Sequence, residues 1–148
     1  MSGESVDSKA RERLDAFVGE WAMEARPPDG PAWPGEARVT WEWMEGAPLL
    51  IQRWHVDLPE APDGTAVIGC DGKSDRYFQL YTDERDVQRV YEMSLDGGVW
   101  KLWRDGPPFS QRFTGTFSRD GTTITGRWEI AEDGEAWTTD FDLTYSKV

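Results

Sequence analysis

From Gly19 to the end of the chain, apolar and polar residues alternate with a period of two. In the second such segment Val39, Trp41 and Trp43 fall on one face, and Arg38, Thr40 and Glu42 on the other. This is the pattern of strands with one buried face. Turn signals divide the alternation into ten short strands, at 20–26, 37–45, 49–58, 65–71, 76–82, 87–94, 99–104, 110–118, 123–130 and 137–145. Six Asp-Gly pairs, beginning at Asp63, Asp71, Asp96, Asp105, Asp120 and Asp133, supply the favoured chemistry of tight hairpins. No helical pattern separates any two strands, which excludes parallel βαβ units. The period changes only at the beginning. Leu14, Phe17 and Val18 at i, i+3 and i+4 predict a short amphipathic helix over 9–18. Ser8 or Asp7 is the expected N-cap and Gly19 the stop, with residues 1–8 expected to be disordered. The helix is expected to plug one end of the strand assembly.

Ten sequential antiparallel strands within 148 residues make one domain with an edge problem. Closure removes the edges, so the expected fold is all-β: a ten-stranded antiparallel up-and-down barrel with a short N-terminal helix, spanning 9–148. A two-sheet sandwich is the alternative. A barrel of more than eight strands has room for a ligand.

The middle strands point to such a cavity. Gln52 and Trp54 share a face, as do Arg89, Tyr91 and Met93. Gln111 shares one with Phe113 and Phe117, and Lys101 and Trp103 alternate with Trp100 and Leu102. A solid core calls for a purely aliphatic inner face. Aromatic side chains with a few interleaved polar groups instead suit a binding wall. The candidate ligand contacts are Trp43, Gln52, Trp54, Arg89, Tyr91, Met93, Trp103, Gln111 and Phe113. Trp21, Trp41, Trp128 and Trp137 are expected to be packing residues. Trp33 lies in a long Pro-rich loop over 27–34 that is suited to covering the cavity.

Composition narrows the function. The net charge of −12 opposes binding to a phosphate backbone. The first 14 residues carry no apolar stretch of the signal-peptide kind, and no run is long enough for a membrane helix. With Cys70 as the single cysteine, the expected location is cytoplasmic and no internal disulfide or CxxC pair can form. One histidine leaves no His-rich metal cluster, and neither metal nor cofactor is expected. A homodimer stays open.

Candidates for catalysis are few. His55 titrates near neutral pH and can act as a base, with Asp57 two residues on to orient it; the competing expectation is an exposed rim histidine. Cys70 is expected to be a buried small hydrophobe. Glu42, Glu45, Glu92 and Glu129 have no separation that the sequence defines, and Arg104 and Arg112 suit either a ligand anion or cross-strand pairs with acids.

Gly19-Glu20-Trp21, at a helix-to-strand junction, resembles the opening of calycin-type barrels: lipocalins, fatty-acid-binding proteins and nitrobindin-like proteins. The segments Val39-Thr-Trp-Glu-Trp-Met-Glu-Gly, Gln52-Arg-Trp, Val90-Tyr-Glu-Met-Ser, Trp100-Lys-Leu-Trp-Arg, Gln111-Arg-Phe-Thr-Gly-Thr-Phe and Ile124-Thr-Gly-Arg-Trp-Glu resemble uncharacterised bacterial, largely actinobacterial, calycin-like proteins. That resemblance runs from about Leu14 to Val148. It implies a barrel in which the motif Trp packs across the closed end, and says little of activity; the small hydrophobic or aromatic ligand expected inside rests on the mixed faces of the middle strands. It admits as an alternative a cyclase or isomerase using the same cavity. Nitrobindin-like members bind haem through a histidine near the C-terminus. The last strand here carries none, which leaves His55 as the one candidate ligand and makes haem the least favoured reading.

Overall fold

A computed structural model describes residues 4–71 and 76–148, with side chains described from Lys9 onward in the N-terminal helix. The helix α1 (Glu4–Leu14) precedes ten strands: β1 (Gly19–Arg26), β2 (Ala37–Trp43), β3 (Leu50–Val56), β4 (Gly64–Cys70), β5 (Tyr77–Asp83), β6 (Gln88–Asp96), β7 (Val99–Arg104), β8 (Ser110–Phe117), β9 (Thr123–Ala131) and β10 (Thr138–Lys147). Each strand pairs antiparallel with its sequence neighbours, and β1 also pairs with β10, so the sheet closes on itself. No edge remains unpaired. No described helix is long and apolar enough to cross a membrane.

The helix occupies an earlier frame than the one expected over 9–18. It begins by Glu4, so Asp7 and Ser8 lie within it and neither caps it. Residues 1–3 of the segment expected to be disordered lie outside the described residues. After Leu14 the backbone tightens, with Phe17 N donating to Leu14 O and Val18 N to Asp15 O. Such i to i−3 bonds end a helix by satisfying its last carbonyls. Gly19 then enters β1 at φ +135°, a conformation that side-chain-bearing residues rarely adopt. This allows the plug to turn directly into the barrel wall.

Ala10, Leu14 and Phe17 are fully buried against the inner wall, with Trp21, Val39 and Trp41. Hydrogen bonds from the wall hold the plug. Tyr77 Oη donates to Ala10 O at 2.7 Å, and Trp21 Nε1 donates to Phe17 O at 2.8 Å. One half of the barrel is therefore a solid aromatic core.

Three expectations about turns and faces fail for identifiable reasons. The β6–β7 hairpin centres on Gly97-Gly98, both at positive φ, rather than on Asp96-Gly97. Gly64 already belongs to β4, so a longer loop (57–63) joins β3 to β4. The Asp71-Gly72 pair lies partly outside the described residues. In β10 a bulge between Thr139 and Phe141 inserts one unpaired residue. The insertion swaps faces across it, so Trp137 does not share the inner face of Phe141 and Leu143. Trp137 instead lies outside, with the Arg112 guanidinium 4.1 Å from its ring centroid.

Candidate functional site

The end of the barrel opposite α1 is hollow. A cavity of about 750 Å³ opens between the loop before β2, the loop after β3 and the β5–β6 turn. Its wall is mostly apolar and rich in aromatic rings that pack on one another in edge-to-face, tilted and stacked contacts. Trp100 and Phe113 have centroids 4.8 Å apart, and Trp128 lies 5.2 Å from Phe113. Trp54 stacks on Tyr81 at 5.4 Å. Such contacts fix the rings and leave their remaining surface for a guest.

The polar groups of the inner wall are uncharged. Gln52 is 5% exposed and Gln79 is 3% exposed. Both line the cavity, as does the hydroxyl-bearing Tyr145. Burial drives the Tyr145 ionisation far above its ordinary value, an effect the adjacent Gln52 amide opposes in part. Gln79 Oε1 and Trp100 Nε1 are buried and have no hydrogen-bond partner among the described residues. Leaving a buried donor or acceptor unpaired costs about 1–3 kcal/mol. The third such atom, Trp41 Nε1, belongs to the plugged half.

Charge is confined to the mouth. Tyr81 Oη donates to Asp83 Oδ2 at 2.6 Å, and Arg85 Nη2 donates to the same oxygen at 2.7 Å. The Asp83 side chain is fully buried, and Arg85 holds its carboxyl well below the usual carboxylate range, with Tyr81 adding to the effect. Burial, reinforced by Asp83, pushes Tyr81 in the opposite direction and keeps it protonated. The loops of the mouth are tied together. Asp57 N donates to Glu36 O at 2.8 Å, Trp33 N to Ala25 O at 2.9 Å, and Trp54 Nε1 to Pro62 O at 3.2 Å. Trp33 lines the cavity while remaining 47% exposed, with its ring 6.0 Å from that of Phe141.

Of the nine candidate contacts, Gln52, Trp54 and Phe113 line this cavity. The others sit elsewhere. Tyr91 is buried, its hydroxyl donates to Gln111 Oε1 at 2.8 Å, and the Arg89 side chain is in hydrogen-bond contact with it as well. Arg89 lies 5.2 Å from the centroid of the Phe109 ring, with Arg104 at 5.4 Å. Met93 is part of the buried core. Trp43 is at the plugged end, where its Nε1 donates to Asp15 Oδ1 at 2.9 Å. Trp103 follows Leu102 and so faces outward, and Lys101 is exposed on the same outer side of β7 as it. Trp128, expected only to pack, lines the cavity. Arg112 and Glu129 form an outer cross-strand pair at 2.9 Å, as Arg53 and Glu42 do at 2.6 Å. Cys70 is half-buried, with its thiol directed at Asp71 O.

His55 alternates with Trp54 and therefore points outward, with its side chain 68% exposed. Its partner is Asp63 rather than the expected Asp57: Nδ1 lies 2.7 Å from Asp63 Oδ2. Asp63 Oδ1 also accepts from Val56 N at 3.0 Å, and Asp63 N donates to Glu84 Oε1 at 2.6 Å. The hydrogen bond to Asp63 raises the His55 pKa above 6.5, and the charges of Asp63, Asp57 and Glu84 add to the rise. The protonated ring is thus the form the fold favours. Its contribution to stability is complete below the unfolded pKa and is lost as pH rises through the folded one. Because the chain has one histidine, its imidazole signals in an NMR titration are unambiguous. The midpoint is expected above 6.5 and should fall back toward it in Asp63→Asn; an unchanged midpoint in that variant overturns the pairing.

No protein-family model matches the chain, and no protein of curated function matches it. Solved structures do. The crystal structure of Rv2717c from M. tuberculosis shares 12% identity at a TM-score of 0.63, over 94% of this chain and 97% of that one. The S-type phycobiliprotein lyase CPES from Guillardia theta also shares 12% identity at 0.63, over 96% and 97%. At such identity the likeness is one of fold, and it fits the closed ten-stranded barrel.

Proposed function

We propose that the barrel binds a small hydrophobic or aromatic molecule in the cavity between its mouth loops and the Trp100 layer. The observation that carries this reading is the half-hollow interior itself. A cavity of about 750 Å³ persists beside a solidly packed aromatic core, and its wall has the mostly apolar, sparsely polar make-up of a binding site. Gln52, Trp54 and Phe113 are the sequence-derived contacts that remain in the proposal, joined by Gln79, Tyr81, Trp128 and Tyr145.

Catalysis of the cyclase or isomerase kind has less support. Among the described lining residues the titratable groups are Glu60, Tyr81, Arg85 and Tyr145, and both tyrosines are held protonated. None is poised as a base in the interior. Haem fits poorly too, because His55 stands on the outer wall against Asp63.

Binding is tested by thermal shift and by tryptophan fluorescence against a panel of lipids, aromatics and polyketides. A linear tetrapyrrole belongs in the panel because one fold neighbour is a phycobiliprotein lyase. A raised Tm with a change in tryptophan emission is expected for at least one compound. The response should be lost in Ala25→Phe, which places a ring in the cavity mouth. If no compound alters either signal, or if Ala25→Phe leaves the response intact, the cavity is not the binding site.

A further inference from the structure

We infer that the cavity selects uncharged ligands whose inner end carries a hydrogen-bond donor and an acceptor together, as a carboxamide or lactam does. This rests on the proposed binding function and specifies its ligand class.

Two observations carry the inference. Among the described residues lining the cavity, the charged ones are Glu60 and Arg85, both at the mouth. Arg85 is already committed to the buried Asp83 carboxylate at 2.7 Å. An ionised group brought to the inner wall would lose its hydration and meet no opposite charge there. This separates the site from one built to receive a carboxylate on an arginine.

The polar groups that do line the interior come from three different strands: Gln52 on β3, Gln79 on β5 and Tyr145 on β10. Two are primary amides, each able to donate and accept. A guest amide can meet such a group through both of its own functions. A hydrocarbon leaves the amides unmatched, and an anion offers acceptors only.

On this wall the Gln52 amide is in hydrogen-bond contact with the Tyr145 hydroxyl, and Gln79 supplies a second amide from β5. The aromatic wall suggests a cation as the rival guest, through contact with ring faces. The two amide side chains among the lining residues favour the neutral amide, and the rival is one arm of the test.

The test uses the full chain and four probes on one pyrene core: pyrene-1-carboxamide, pyrene-1-carboxylate, a pyrenylmethyl trimethylammonium and 1-isopropylpyrene. Pyrene accepts energy from tryptophan, so binding is read as transfer from the cavity rings. The carboxamide should bind about tenfold tighter than each of the other three, the advantage expected of one well-made buried hydrogen bond. In Gln79→Met, which keeps an unbranched chain without the amide, that advantage over isopropylpyrene should shrink to about twofold or less, with hydrocarbon affinity unchanged. Gln52→Leu provides the same comparison from β3 if Gln79→Met does not fold by circular dichroism. The inference is overturned if the carboxylate or the ammonium binds as tightly as the amide. It is also overturned if the amide advantage survives both substitutions. If none of the four probes binds, the cavity reading itself fails, and the selectivity falls with it.

Discussion

Phe17→Ala should lower the free energy of unfolding by about 3–5 kcal/mol, the range for removing a fully buried aromatic ring. Phe17 is the centre of the plug. Its ring lies 5.1 Å from Trp41, 4.9 Å from Trp100 and 5.2 Å from Phe117, and it is wholly inaccessible to solvent. The bond from Trp21 Nε1 to the Phe17 carbonyl uses the backbone and survives the substitution, so the loss measures the ring alone. Domains of this kind are stable by only about 5–15 kcal/mol, so the variant should unfold at a much lower denaturant concentration. A loss of less than about 1 kcal/mol in urea titrations would show that the helix end does not seal the barrel.

The second large effect is expected at Gly126, on the side of the cavity. Gly126 and Gly115 face each other across β8 and β9, and the Phe113 ring lies over the pair. A Cβ at Gly126 would overlap the edge of that ring and sit close to the Thr114 carbonyl. The backbone cannot yield in the middle of a closed ladder, so the ring must. It is bounded by Trp100 and Trp128, which leaves the cavity as the free direction. Gly126→Ala is therefore expected to cost about 1–3 kcal/mol of stability as overpacking. It should also weaken any cavity ligand by about tenfold or more, as an intruding ring displaces it. Phe113→Leu in the same chain should restore much of both losses. Two-state denaturation and ligand titration of the four corners of this cycle check it, and additive losses would show that Phe113 is not the group displaced.

The alternation of Val39, Trp41 and Trp43, and its counterparts down the chain, was enough to reveal strand number, order and closure. Those depend on a local period and on the cost of open edges, both of which a sequence expresses. The site was legible only in part because alternation tells which face a residue takes and not how deep along the barrel it lies. Trp43 and Met93 face inward as expected, yet they belong to the plugged half. Trp54 and Phe113, equally inward, lie in the hollow half. Trp137 escaped for a different reason: one bulge residue in β10 exchanges the faces on its two sides. The partner of His55 came from the far end of the following loop, at Asp63, where no spacing rule reaches. Gln79 carried a usable signal. Tyr77, Gln79 and Tyr81 repeat the aromatic–polar interleaving of Gln52 and Trp54, and reading β5 by the same rule would have placed Gln79 in the wall.

The pairing of β1 with β10, from Trp21 opposite Lys147 to Arg26 opposite Asp142, joins strands from the two extremes of the sequence. The other nine ladders link neighbours and can form locally as hairpins. This one can form only after the entire chain between has been brought round, at an entropic cost that no local contact offsets. Folding is then governed by its slowest event, and all-β proteins dominated by such distant pairings fold in about milliseconds to seconds. Until the seam closes, β1 and β10 are open edges that can accept the corresponding strand of another molecule. Protein concentration during refolding thus selects between closure within one chain and exchange between two.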